Sequence, residues 1–209
     1  MKRFLMMFAF SAILLGTAIA EPKNKIGADI GWPIAFNYSR QVSDLIEIDI
    51  LAGLDNIVIY NSKGYTYELG GVRVTAPFTA GGFGFAARVT PLFKVWSGPV
   101  GTVTGKFSLG PGLGFTIGSV TYTPSPAATF NASPIGYGTT YGTTSALAGG
   151  FNISLPLRFE FQFKVPFNLY LELSPVGIAV NMCKPEYYDK VIAGARYYAR
   201  GGLGLRYSF

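Results

Sequence analysis

The sequence predicts an all-β protein: a transmembrane, antiparallel, up-and-down β-barrel of eight strands that follows a cleaved signal peptide. Three observations predict this class. Apolar and polar residues alternate over many strand-length stretches. No segment after the N-terminal 20 residues has the ~20 consecutive apolar residues of a membrane helix. Aromatic residues make up 15% of the chain and charged residues 13%, a balance unusual for a water-soluble domain. A barrel distributes its apolar residues by alternation, which fits all three observations.

The N-terminus has the organisation of a secretory signal peptide. Lys2 and Arg3 form a basic region, residues 4–15 an apolar core, and Ala18-Ile19-Ala20 a small-residue cleavage site. A retained membrane helix is the alternative, but Glu21-Pro22 directly after the small residues favours cleavage. The predicted domains are therefore a signal peptide over 1–20 and a barrel over 21–209.

Eight stretches of alternation define the strands, and each has an apolar and a polar face. The sixth stretch is the clearest, because seven large apolar residues alternate with polar ones between Phe151 and Lys164. An even strand number places both termini on the same side of the membrane. The predicted strands span residues 26–38, 46–54, 65–76, 83–95, a part of 100–120, 151–164, 169–180 and 193–209.

Two places interrupt this pattern. The third stretch changes phase at Gly70-Gly71, which predicts a β-bulge. Residues 55–64 make a long connection for the side that should carry short turns. Either the second strand therefore continues through Val58 and Tyr60, or the barrel has ten strands.

The connections predict a topology. Ser97-Gly98-Pro99 and Pro166-Phe167-Asn168 are turn signals on the side of the termini. Residues 121–147 lose all periodicity and are rich in Pro, Thr, Ser, Gly and Ala, which predicts a long surface loop on the opposite side.

Charged residues fall on the polar face of the strands and should point inward, because charge facing lipid is costly. An eight-stranded barrel has room only for side chains inside, so mixed charges predict a core of ion pairs. An anion-preferring path along Arg196, Arg200 and Arg206 is the alternative. The predicted interior network comprises Asp29, Glu47, Asp49, Glu68, Arg73, Arg88, Arg158, Glu160, Glu172, Arg196, Arg200 and Arg206, with Lys94, Lys106 and Lys164 on the same face.

The last stretch, from Ala193 to Phe209, carries apolar residues at odd positions and three arginines at even positions. Its end, Gly204-x-x-Tyr207-x-Phe209, resembles the C-terminal assembly signal of bacterial outer-membrane β-barrels. The chain as a whole resembles the small barrels of that group, the OmpA transmembrane domain, OmpX and OmpW types. The resemblance implies a location in the bacterial outer membrane, with lipid and lipopolysaccharide around the barrel. It also implies periplasmic chaperones and the barrel assembly machinery as partners during biogenesis.

Catalysis and cofactors are not indicated. The chain has no histidine, and some small barrels of this group are lipid-modifying enzymes that depend on one. Neither a His nor a Cys cluster suggests a metal site, and Cys183 is the sole cysteine, so no intramolecular disulfide can form. The 17 basic residues exceed the 11 acidic ones too mildly to indicate nucleic acid. We therefore expect neither an enzyme nor a cofactor.

The resulting expectation is an integral outer-membrane barrel with a plugged polar interior and surface loops, which has structural roles or contacts an extracellular ligand. A narrow channel or conduit for small solutes or hydrophobic molecules is the alternative. A soluble lipocalin-like binder would place the apolar face inside. The arginines opposite the terminal Leu, Tyr and Phe residues argue against that class.

Overall fold

In the computed structural model the described residues are 24–31, 33–69, 72–122, 144–185 and 191–209, and within 62–77 the description is of the backbone. They form one antiparallel sheet of ten strands. The strands are β1 (Asn24–Gly31), β2 (Ile34–Gln41), β3 (Ile46–Leu69), β4 (Val72–Val100), β5 (Val103–Leu109), β6 (Gly112–Tyr122), β7 (Thr144–Ser154), β8 (Leu157–Gln162), β9 (Phe167–Cys183) and β10 (Ile192–Ser208).

Eight of these strands close into a hydrogen-bonded ring in the order β10-β1-β2-β3-β4-β5-β8-β9, with β9 pairing back onto β10. The strands β6 and β7 continue β5 and β8 along the same wall, since β4 pairs with both β5 and β6, and β9 with both β7 and β8. Pro111 and Pro156 lie at the two interruptions, where proline cannot donate a ladder hydrogen bond. The predicted antiparallel architecture is thus found as an eight-strand ring.

The first predicted strand, 26–38, is wrong: it is the hairpin of β1 and β2. Asp29 pairs with Ala35, so the odd positions of both strands share one face and the alternation runs unchanged across the turn. Sequence periodicity therefore could not distinguish this hairpin from one long strand.

The third predicted strand, 65–76, is also wrong, because β3 ends at Leu69 and its partner β4 begins at Val72, with these two residues paired. The predicted bulge at Gly70-Gly71 lies outside the described residues. The change of phase in the sequence does not by itself show that the chain passes here from one strand to the next. The second predicted strand does continue through Val58 and Tyr60, as one alternative held. The two errors cancel, and the number of wall strands remains eight.

The turns divide the ring into two ends. The terminal end carries Asn24 and Phe209, which pair through their backbones, and the short turn at Gly101, whose φ of 62° favours glycine. The distal end carries Tyr122 and Thr144, which pair with each other. The predicted turn at residues 97–99 lies inside β4, and Phe167 and Asn168 already belong to β9. Of the predicted loop 121–147, residues 121–122 and 144–147 are strand, and residues 123–143 lie outside the described residues, as does the predicted signal peptide.

Burial alternates along the strands, with large apolar side chains exposed on the outer face. On β9 and β10 this face includes Leu169, Leu171, Ile178, Leu203 and Leu205. Among the described side chains, the exposed charged residues lie in turns or at strand ends: Arg40, Asp44, Lys164 and Lys184. No helix in the described part of the chain is long and apolar enough to cross a membrane.

Candidate functional site: a charged interior

Ten charged side chains from seven strands of the ring project into its terminal part, and all except Asp29, which is bonded to Tyr170, contact an oppositely charged member. We call them the base cluster. Each of its five cations forms an ion pair with at least one carboxylate, so the interior here is packed with compensated charge. The members are Lys25, Arg88, Lys106, Arg158 and Arg206, with Asp29, Glu47, Asp49, Glu160 and Glu172.

Glu47 on β3 is the meeting point of three cations. Lys25 Nζ lies 3.1 Å from its Oε2, Lys106 Nζ lies 2.6 Å from the same oxygen, and Arg206 Nη1 lies 2.8 Å from its Oε1. These contacts join β3 to β1, β5 and β10. Lys25 also donates to Glu160 at 2.7 Å, which connects β1 to β8 across the ring.

Asp49, two residues further along β3, accepts hydrogen bonds from two guanidinium groups. Arg158 approaches with both terminal nitrogens, at 3.0 and 2.8 Å, in the bidentate geometry that suits a carboxylate. Arg206 donates to the same carboxylate. Arg158 further donates to Glu172 at 2.5 Å, and Arg88 pairs with Glu172 as well. All these side chains are buried or nearly so, which makes the pairs strongly interdependent.

Tyr170 occupies the centre of the base cluster. The guanidinium carbons of Arg158 and Arg206 lie 4.5 and 4.3 Å from its ring centroid, in cation–π contact. Its hydroxyl donates to Asp29. Gly204 on β10 makes room for the ring, because a Cβ at that position would run into the tyrosine. Gly204 is predicted as part of an assembly signal, and in the structure it makes the space that the Tyr170 ring occupies.

Above the base cluster, β10 carries two further arginines that lie on either side of Tyr198 in sequence. Arg200 forms an ion pair of 2.7 Å with Asp55 and lies 4.2 Å from the Tyr198 ring centroid. Arg196 lies 6.0 Å from the same ring and donates to Asn56 Oδ1 at 3.2 Å. The three predicted arginines of the closing strand thus have different surroundings.

The remaining predicted residues are placed as follows. Glu68 and Arg73 are partners in the backbone register of β3 with β4, and their side chains lie outside the described ones. Tyr207 and Phe209 are exposed on the outer face with their rings 6.4 Å apart, and Phe167 meets Tyr207 edge-on at 5.4 Å. The side chains therefore form an aromatic group at the terminal end.

Sequence reasoning missed two features of the interior. The first predicted strand begins at Ile26 and therefore does not include Lys25, although the odd position of Lys25 shares the phase of Asp29. In the described part of the chain, buried apolar residues form a cluster in the distal part of the interior, which the predicted polar interior does not include. Its buried residues, the distal apolar cluster, are Ile57, Ile59, Phe78, Ala80, Val120, Tyr122, Ala146, Ala148, Cys183 and Ile192. Around Ile57 and Ile59 the opposite face carries Val58 and Tyr60, so alternation gives no signal there.

The fold and this site define a class: a closed antiparallel ring with an ionic interior at one end, an apolar interior at the other, and an apolar outer face. No protein-family model and no curated protein matches the sequence. Among solved structures, the chain is similar to a major outer membrane protein from Thermus thermophilus, with 13% sequence identity and a TM-score of 0.49. The similarity covers 91% of this chain and 100% of that one.

Proposed function

We propose that this protein is an integral outer-membrane β-barrel with a plugged interior, which supports the envelope mechanically and presents its distal end at the cell surface. One observation carries the proposal. The charged side chains of the base cluster point inward and its cations are compensated by ion pairs, while large apolar side chains are exposed on the outer face around the ring. A soluble protein has the opposite arrangement, because water solvates charge and excludes apolar surface.

The outer face fits a lipid environment in extent as well as in polarity. Along β7 and β8, the residues Phe151, Ile153, Leu155 and Phe159 are all exposed. A monomeric soluble protein rarely exposes contiguous apolar patches beyond a few hundred Å². In contact with lipid hydrocarbon, apolar side chains do not have the free-energy cost of exposure to water. A membrane-spanning barrel strand needs only about 9–11 residues.

Aromatic residues at the terminal end support an interfacial position for that end. Tyr38, Trp96, Phe167, Tyr207 and Phe209 are exposed there. Outer-membrane barrels carry such girdles where the hydrocarbon meets the headgroups. We assign the terminal end to the periplasmic side and the distal end to the exterior.

The contents of the interior favour a scaffold over a channel. The base cluster fills the terminal part with ion pairs, and the distal apolar cluster fills the other part with packed side chains. Ions crossing this interior would have to displace both layers. Structural and surface-contact roles follow, with lipopolysaccharide, the barrel assembly machinery and periplasmic chaperones as the proposed partners and without a catalytic activity.

Cell fractionation tests the proposal. The full chain, expressed in a Gram-negative host, should be found in the outer-membrane fraction, require detergent for extraction, and migrate differently on gels before and after heating. Recovery as a soluble periplasmic protein without detergent would contradict the proposal and favour a lipocalin-like binder.

A further inference from the structure

The terminal end of the ring contains a cleft beside the base cluster. Its volume is about 370 Å³, which lies within the range of about 300–1,000 Å³ found for small-molecule sites. Polar side chains from several strands and from the turn between β8 and β9 line it. We call it the terminal cleft, and its polar lining residues are Lys25, Gln41, Gln162, Lys164, Asn168 and Ser208.

Neighbouring strands bring these polar groups together. In the register of the sheet, Lys25 of β1 lies beside Ser208 of β10, and Gln162 of β8 lies beside Asn168 of β9. Asn168 and Ser208 are joined by a hydrogen bond of 2.6 Å from Asn168 Nδ2 to Ser208 Oγ. The polar groups of β8, β9, β10 and β1 therefore form a continuous arc along one side of the cleft, and Gln41 of β2 extends it.

Several groups of this arc have no partner in the protein. Lys25 is already paired within the base cluster. In the described part of the chain, however, no side-chain hydrogen bond involves Gln41 or Gln162, and both residues are half-buried. Lys164 is exposed and forms no ion pair with a described residue. Two amides and one ammonium group in the cleft are thus available to a ligand.

The chemistry of these groups matches a sugar that carries a carboxylate. An amide side chain both donates and accepts hydrogen bonds, as each sugar hydroxyl does. The Lys164 ammonium suits a carboxylate, and Val165 and Pro166 in the same lining offer apolar contact to the C–H face of a sugar ring. A small inorganic anion would pair with the lysine but would leave the amides and the apolar residues without a matching group.

We propose that the terminal cleft binds an acidic saccharide, a sugar ring that bears a carboxylate. The lining of the cleft supports this class of ligand wherever the protein is located. That the natural ligand is a periplasmic glycan rests on the proposed function, which assigns the terminal end to the periplasmic side.

Two related sugars provide matched probes. N-acetylmuramic acid is N-acetylglucosamine with a lactyl carboxylate added, so the pair differs by the group that Lys164 should recognise. Titration of each sugar with the purified full chain in detergent micelles, followed by NMR of the sugar signals, measures both affinities. N-acetylmuramic acid should bind about two- to fivefold more tightly, the factor expected for one exposed ion pair.

Three variants make the measurement specific. Lys164→Gln should remove the preference for N-acetylmuramic acid, while Lys184→Gln, which removes an exposed charge just after β9 at the distal end, should keep it. Gln162→Ala should weaken the binding of both sugars by about two- to tenfold, as expected for one lost hydrogen bond. All three positions are at least partly exposed, so the variants should fold.

Three outcomes would overturn the inference: equal affinity of the wild type for the two sugars, no binding of either, or the same loss in Lys164→Gln and Lys184→Gln. A protein that is found in the outer membrane but binds neither sugar refutes the saccharide site alone. A soluble protein that prefers N-acetylmuramic acid supports the site and refutes the proposed function.

Discussion

Asn24 and Phe209 exchange two backbone hydrogen bonds, 3.0 Å from Asn24 N to Phe209 O and 2.9 Å from Phe209 N to Asn24 O. These bonds begin the seam between β1 and β10, which continues from Lys25 and Ser208 to Gly31 and Gly202. The seam is where the ring closes and where two strand edges cease to be exposed.

Removing Phe209 should reduce correct assembly. The deletion removes both hydrogen bonds and an aromatic ring at the terminal end, so the edges of β1 and β10 should stay open longer and favour aggregation. Phe209→Tyr keeps both features and serves as the control. The measurement compares heat-modifiable protein in the outer membrane with periplasmic aggregate. If the deletion variant is inserted as well as the wild type, Phe209 is not required for closing the barrel.

An arginine on the outer face should be harmful in proportion to its depth. Phe159 and Phe163 are both 43% exposed and lie on the same face, but Phe163 follows β8 beside a turn. Phe159→Arg should lower folding stability in lipid vesicles by ~2–4 kcal/mol, and Phe163→Arg by ~0–1 kcal/mol, because arginine near the interface reaches the headgroups. Urea titration of both variants in vesicles measures the difference. Equal losses would argue against a lipid-facing outer surface.

The ionic interior should respond unequally to the loss of two buried aspartates. Asp49 accepts from two guanidiniums, whereas Asp55 forms a single ion pair with Arg200, which keeps some exposure. Asp49→Asn should cost ~3–5 kcal/mol in unfolding free energy, and Asp55→Asn clearly less, because uncompensated buried cations account for most of the penalty. The same urea titration applies. A larger effect at Asp55 would show that the base cluster is not the main stabilising network.

Two glycines on the inner face of β10 offer a matched test of packing around Tyr170. A Cβ at Gly204 would overlap the tyrosine ring, while a Cβ at Gly202 would meet its nearest atoms at 3.6 Å, an ordinary contact. Gly204→Ala should destabilise the protein by ~1–3 kcal/mol through overpacking, and Gly202→Ala should be near neutral. Thermal unfolding followed by gel mobility would compare them. Similar midpoints for both variants would mean that Tyr170 can move aside freely.

The purified protein should show little stable conductance in planar bilayers. Two groups of side chains fill its interior, the base cluster and the distal apolar cluster. Phe78→Ala changes only the distal apolar cluster, so this variant should also stay non-conducting. Steady anion-selective conductance in wild type that falls in Arg200→Gln would instead support the channel alternative.

Alternation predicted the faces of the closing strand correctly: residues 203, 205, 207 and 209 are exposed and Arg206 is buried. It could not locate chain reversals that preserve phase, so the hairpin of β1 and β2 was read as one strand. The members of the base cluster other than Lys25 lie on the polar faces that alternation predicts, because the polar residues of each predicted strand share one phase. Which cation meets which carboxylate was not predictable, since contacts such as that of Lys25 with Glu160 depend on how the ring closes.

The unequal contents of the interior also bear on how the strands find their alignment. In the distal part, neighbouring residues such as Ile57 and Val58 are both apolar, so displacing a strand by one residue would exchange one apolar set for another at small cost. In the proposed membrane location, the same displacement at the terminal end would turn Arg206 and Glu47 towards lipid, and an arginine there costs ~2–4 kcal/mol. The ion pairs therefore specify the register of β10 beside β1 and β9. In the distal part, where the sequence specifies the register only weakly, the register follows from the pairing at the terminal end.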